Sequence, residues 1–378
     1  SIFAAGLSSF SPDSEGIIFE PDGSIRPFIA GGDPNDYYNY APKNYIQLPQ
    51  ERHQITALGH YDINDNTTIY GRAMFTDSRV PQQLAPTPIF QDVTFTLDSN
   101  PFLTPEAQQV LSESVGLGVD SDGNGIDDEA NAFVRRRLLE VGPRRSEDSF
   151  NSFQLQTGLR GFFGDSNWAY DAYYQTGKVN TVKSQLGNVN SERFQQALLL
   201  DLVADPTGGT CQDTAANGSI SGCVPINIFG ENNISQEGAD FLKTAVSASA
   251  VYDQKVAAVN ISGDTEAWFE LPGGAVGVAF GYEHREESFE FLPSQDLAAG
   301  TIAGFNGVAP LAGAQQVSEY YIETALPILN GVDFAEVLEV ELAYRYANYD
   351  SVGSVESYKI AGAWAPINSL RFRVGFNT

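Results

Sequence analysis

Apolar and polar positions alternate along much of this chain with a period of two. In residues 51–62, ERHQITALGHYD, Ile55, Ala57, Gly59 and Tyr61 share one face, and Gln54, Thr56 and His60 share the other. INDN follows as a tight turn, and TTIYGRAMFTD then gathers Ile69, Gly71, Ala73 and Phe75 on one face. Two such runs around a short Asn/Asp turn predict a β-hairpin. A second hairpin is predicted across GDSN. It joins a run with Phe153, Leu155, Thr157, Leu159 and Phe163 on one face to a run with Trp168, Tyr170, Ala172 and Tyr174 together. A third turns at LPGG into Val276, Val278, Phe280 and Tyr282, opposed by Gly277, Gly281, Glu283 and Arg285.

Alternation continues toward the C-terminus. Tyr320, Ile322, Thr324 and Leu326 oppose Glu319, Tyr321 and Glu323, and Leu338, Val340, Leu342, Tyr344 and Tyr346 oppose Glu339, Glu341 and Arg345. SYKIAGAWAP and LRFRVGF, joined at PINS, close the series. Short and long connections alternate until a brief one near 350–354, which sorts the short turns to one end of a meander. A sandwich gives no reason for such sorting. A transmembrane barrel does: it has short turns at one end, long outer loops at the other, and an apolar face outside. Tyr61, Trp168, Tyr282, Tyr344, Tyr346 and Trp364 lie near strand ends, where headgroups would sit. The expected fold is therefore all-β, part of a transmembrane up-and-down antiparallel β-barrel, with about ten of its strands in this chain and long, partly helical extracellular loops. Glu283, Arg285, Glu319, Glu323, Glu339, Glu341 and Arg345 would face its lumen. Residues 1–47 read as an outer loop and strand entry, 80–149 as a long extracellular loop, and 180–250 as another. In the last of these, Ser191 and a site near Ser235 would start two short helices.

Charge narrows the partners. The 378 residues carry 48 acidic and 21 basic side chains, a net charge of -27. Nucleic acid is excluded as a partner, since its binding needs clustered positive charge. No apolar run is long enough for a transmembrane helix. The N-terminus lacks the basic start and apolar centre of a signal peptide, and the chain ends within a predicted strand, so it reads as a piece of a larger whole. Cys211 and Cys223 are the only cysteines. Across a polar, turn-rich loop a disulfide is favoured over two free thiols, which points to an oxidising compartment.

Three segments carry candidate chemistry. In DSDGNGIDDEAN, residues 120–131, Asp120, Asp122, Asn124, Ile126 (through its carbonyl) and Asp128 match ligand positions of an EF-hand loop. Asn131 stands where the bidentate Glu is needed, so a structural Ca²⁺ site and a plain acidic surface loop both remain open. Tyr37, Tyr38, Tyr40 and Tyr45 form an aromatic cluster able to stack on a sugar or flat ligand, or to serve as a girdle or loop packing. Arg135, Arg136 and Arg137, with Arg144 and Arg145 nearby, would meet an anionic ligand or pair with Glu140, Glu147 and Asp148. Catalysis is not expected: His53, His60 and His284, the only histidines, lie on predicted strands, and no phosphate-loop or zinc spacing occurs.

Several segments resemble the barrel region of TonB-dependent outer-membrane receptors. They include NYIQLPQERHQITALGHYDINDNTTIYGRAMF, FVRRRLLEVGPRR, GLRGFFGDSNWAYDAYYQTG, ERFQQALLLDLVADPTGG with CVPINIFGENNIS, ELPGGAVGVAFGYEHREESF and SYKIAGAWAPINSLRFRVGF. The resemblance implies a barrel of about 22 strands around a plug, of which this chain would supply roughly half. It implies TonB-driven import of a scarce nutrient (siderophore, vitamin or oligosaccharide) across the bacterial cell outer membrane. Outer-membrane lipid, the TonB complex and a small nutrient would be the partners of a monomer. No plug, TonB-binding segment or aromatic-ended last strand is recognisable. The alternatives are an extracellular, Ca²⁺-stiffened β binding or adhesion module, and a passive porin.

Overall fold

The computed structural model describes residues 1–3, 7, 16–116, 118, 120, 127–212 and 221–378. In chain order the strands and helices are β1 (Ile2–Phe3), β2 (Gly16–Phe19), β3 (Ile25–Pro27), β4 (Glu51–Asn64), β5 (Thr67–Leu84), β6 (Pro88–Thr96), α1 (Pro105–Ser114), β7 (Glu129–Arg137), β8 (Arg144–Phe162), β9 (Ala169–Val189), α2 (Ser191–Gln196), α3 (Gln236–Leu242), β10 (Lys243–Asp264), β11 (Glu270–Leu271), β12 (Gly274–Ala275), β13 (Gly277–Pro293), α4 (Gln295–Ala299), β14 (Leu311–Val332), β15 (Ala335–Tyr349), β16 (Gly353–Ile367) and β17 (Leu370–Asn377).

Two sheets dominate. Ten strands form one antiparallel meander in the order β17-β16-β15-β14-β13-β10-β9-β8-β5-β4. The predicted hairpins lie inside it: Asp62 faces Thr68 and Asn64 faces Thr67 around the first turn, and Phe162 faces Ala169 across GDSN. Several strands run well past the alternating segments. β5 reaches Leu84, where it pairs with Arg144 of β8, so the connections expected at 80–149 and 180–250 are partly strand.

The second sheet has the order β3-β2-β1-β7-β6, and it forms from segments expected to be outer loops. With the helices it builds a layered cap that holds the main core. Ile2, Ile17, Ile89, Phe95, Leu97, Leu111, Val134, Leu138, Phe194, Leu198, Ile226 and Leu242 are all buried there. Helix α1 is capped by Thr104, whose side chain accepts from Ala107 N, and buries Ala107 and Leu111. Asn190, rather than Ser191, caps α2, accepting from Glu192 and Arg193 N–H groups. Ser235 caps α3.

The expected barrel is corrected by this topology. Among the described residues β4 and β17 are edge strands that do not pair with each other, so the ten-stranded sheet is open. The outer-membrane location and lipid partner inferred from that partial barrel are withdrawn with it. No described helix is long and apolar enough to cross a membrane. The physical reason for the error is that alternation and turns specify which neighbours pair. Closure also requires the first and last strands to meet with a fixed stagger, which no local pattern encodes.

Because the sheet encloses no lumen, the residues expected to line one lie on its polar face. There Arg345 bonds Glu319, Arg285 donates to Glu283 at 3.2 Å, and Lys359 donates to Glu341 at 2.5 Å. Glu323 and Glu339 share that face, opposite Ala343 and Ala363 in register. On the other face Ile55, Phe75, Phe153, Leu155, Ile322, Ile360, Phe372 and Phe376 are exposed.

Candidate functional site: an arginine and tyrosine cleft in the cap

Strand β7 divides core from cleft. Period-two alternation sends Ala130, Ala132 and Val134 into the core, where they are buried, and turns Phe133, Arg135 and Arg137 to the opposite side. A cavity of about 760 Å³ opens there. Its walls include Tyr37, Tyr38 and Tyr40 from the segment after β3, Arg135, Arg136 and Arg137 from β7, and Asn232 from the loop before α3. Arg26, Asp36, Phe28 and Phe90 are also among its lining residues.

Most of the cavity's charges are already matched. Arg26 donates to both oxygens of Asp36 at 2.7 Å and to Glu20 at 2.5 Å. Asp36 also accepts from Ile29 N–H at 2.7 Å. The Arg26 hydrogen bond holds the Asp36 carboxyl below its usual value, against the opposing effect of burial. This pair ties β3 to the tyrosine segment and fixes one wall. Sequence reading missed Arg26, Glu20 and Asp36. The one available signal was the PDGS turn, which folds EGIIFE against SIRPF and brings Glu20 beside Arg26.

Arg136 and Glu140 form the second matched pair. Their side chains are each 8% exposed. Arg136 Nη1 donates to Glu140 Oε2 at 3.0 Å and Nη2 to Oε1 at 2.7 Å, a bidentate geometry. Its remaining donors reach Ile228 O at 3.2 Å and Gly230 O at 2.8 Å. Gly230 has φ 103, a conformation closed to most side chains, and a Cβ there would meet Asn233 Nδ2 at 2.6 Å. For Glu140, burial alone would raise the pKa; the hydrogen bond and charge of Arg136 outweigh it, and the carboxyl lies below its ordinary value.

Arg135 and Arg137 differ. Among the described residues neither makes an ion pair. The Arg135 guanidinium lies 4.1 Å from the centroid of Phe3 and 5.4 Å from that of Phe133. That of Arg137 lies 5.2 Å from Tyr38 and 6.0 Å from Tyr40, within cation–π range. Arg137 Nη1 donates to Pro86 O at 2.9 Å. Burial lowers the Arg137 pKa, partly offset by Tyr38 and Tyr40. Arg144 is lowered too, by burial and then by the charge of Arg137. Tyr37 packs edge-on against Phe28, with centroids 5.5 Å apart.

The remaining expected residues lie elsewhere. Tyr45 is outside the cavity lining and donates its N–H to Gln83 O at 3.1 Å. Of the acids near the arginine run, Asp148 lies 3.8 Å from Lys183. In the calcium-like segment only Asp120, Asp127 and Asp128, with the following β7 residues, are described; Asp122, Asn124 and Ile126 lie outside the described residues. No group of three or more metal-ligating side chains occurs among the described residues. Cys211 and Cys223 are joined in a disulfide with Cα atoms 6.2 Å apart.

No family model matches the chain, and no curated protein matches it either. Among solved structures, the open form of the ferric-catecholate import receptor Fiu from E. coli K12 aligns at 13% identity with a TM-score of 0.33, covering 92% of this chain and 49% of that one. Its closed form aligns at 9% identity with a TM-score of 0.29, covering 92% and 46%. The chain thus spans about half the length of these structures. Likeness this weak carries no argument. With an open sheet and no family match, the resemblance to TonB-dependent receptors, the TonB partner and the nutrient-import function implied by it are withdrawn.

Proposed function

We propose that the chain is an extracellular β-structured binding module that holds a small hydroxylated, flat-faced ligand, of which a sugar is the simplest, in the cap cleft. One observation carries this reading: Tyr37, Tyr38 and Tyr40 converge with Arg135 and Arg137 on a cavity of about 760 Å³, within the size range of small-ligand sites. Tyr37 and Tyr40 are 57% and 56% exposed, so their faces are open to a ring. Rigid aromatic rings supply stacking area at low entropic cost. The Cys211–Cys223 disulfide supports an oxidising compartment. The role is binding rather than catalysis, with Ca²⁺ as a structural ion in segment 120–131.

A glycan array tests the reading, comparing wild type with Tyr38→Ala and Tyr40→Ala. A reproducible set of bound glycans that weakens in both variants is expected. An array profile that is blank, or unchanged by both substitutions, would overturn it.

A further inference from the structure

We infer that the cleft contains an anion seat made by Arg135 and Arg137, and that its ligand is an acidic saccharide whose carboxylate sits there. The inference rests on the sugar-binding reading of the cleft and adds the charge of the ligand.

The seat follows from strand geometry. Arg135 and Arg137 are two residues apart on β7, so both point to the cleft, while Arg136 between them is consumed by Glu140. The acids lining the cavity are Glu20, Asp36, Glu140 and Glu231. The first two are held by Arg26 and the third by Arg136. Glu231 is exposed at the rim. Two half-buried guanidiniums therefore face the cavity against one rim carboxylate, in a chain of net charge -27.

Cation–π contacts stabilise these guanidiniums without using their in-plane N–H donors. Arg137 has five N–H donors, of which one reaches Pro86 O. The donor plane is thus available for a carboxylate, which it fits in bidentate geometry. Tyr38 and Tyr40 flank Arg137, which places a stacking surface beside the anion. A pyranose ring bearing a carboxylate meets both requirements at once: its apolar face lies on tyrosine and its acid reaches arginine. Asn39 and Asn232 line the same cavity and offer amide donors to ring hydroxyls.

Calorimetry with trigalacturonate and its fully methyl-esterified form tests the seat, because the two ligands share rings and differ in charge. At low ionic strength wild type binds the acid about tenfold or more tighter than the ester, the worth of a charge-assisted hydrogen bond. In Arg137→Gln and in Arg135→Gln that ratio falls toward one, and in Arg137→Lys part of it survives. Equal binding of acid and ester by wild type, a ratio unchanged in both glutamine variants, or binding of neither ligand would overturn the inference. If the ester binds as well as the acid, only the anion seat fails. The sugar-binding reading itself stands or falls on the tyrosine variants in the array.

Discussion

The Arg136–Glu140 pair should decide whether the cap, and with it the cleft, keeps its shape. It joins β7 to the 228–230 segment through two hydrogen bonds to the carboxylate and two to carbonyls. Glu140→Gln keeps the shape of the side chain but leaves the buried guanidinium without its counter-charge. Removing one partner of a buried pair costs about 3–5 kcal/mol. One amide oxygen still accepts, so the loss expected here is about 3 kcal/mol. Urea unfolding followed by circular dichroism gives the total, and amide exchange of residues 130–141 and 226–242 locates it. Replacing both residues, Arg136→Met with Glu140→Gln, should cost less than the sum of the single changes, because no charge is then stranded. The same carboxyl predicts a pH dependence. Its pKa lies below the ordinary carboxyl value of about 4.5 in the folded state, because the hydrogen bond and charge of Arg136 outweigh burial. Its contribution is therefore complete above about 4.5, the unfolded value, and is lost as pH falls through the folded value. In Glu140→Gln that part of the acid sensitivity disappears. A loss under about 1 kcal/mol at neutral pH, or acid sensitivity identical in wild type and variant, would refute the argument.

Three further outcomes are expected. Reducing Cys211–Cys223, which closes a loop with a sequence separation of 12, should lower cap stability by about 3 kcal/mol, read as the change in urea unfolding with and without reductant; no change would show that the loop closure is immaterial. Gly161→Ala would drive a Cβ into the Asn66 carbonyl at the β4–β5 turn and should cost about 1–3 kcal/mol in the same assay, against near-neutrality if β8 does not meet that turn. Calorimetry should give a saturable Ca²⁺ signal that Asp120→Asn with Asp122→Asn removes; a flat titration of wild type would eliminate the structural ion.

Legibility along the sequence followed the range of the interactions. The hairpins of the large sheet were readable because their partners lie across turns of a few residues, as with Asp62 and Thr68. The cap was not. Strand β1 is two residues long and pairs with Phe133 and Val134 far along the chain, so no periodicity could announce it. The cleft shares this difficulty. Tyr37, Tyr38, Tyr40 and the arginines were readable separately as chemically apt clusters, but their meeting depends on β3, β2, β1 and β7 lying side by side. The error about the barrel has the same origin. Neighbour pairing is local, whereas closure joins the two most distant strands.

The distribution of burial also argues for where a ligand can be held. The ten-stranded sheet leaves large side chains exposed on its apolar face, from Ile55 on β4 to Phe376 on β17, a pattern that marks a surface able to associate. The cap instead packs Phe95, Phe194, Ile17, Leu111 and Leu138 into a continuous core. A site must hold its groups to within a fraction of an ångström to bind selectively, and it does so by resting on elements whose own side chains are locked. Strand β7 meets that condition. Ala132 and Val134 anchor it in the core, the Arg136–Glu140 pair secures its end, and the two intervening side chains on the opposite face, Arg135 and Arg137, inherit their positions from those anchors. A guanidinium on the exposed β4 edge would have no such support, which is why the open sheet's own charges, such as Arg52 and His53, are weaker candidates than the arginines in the cap.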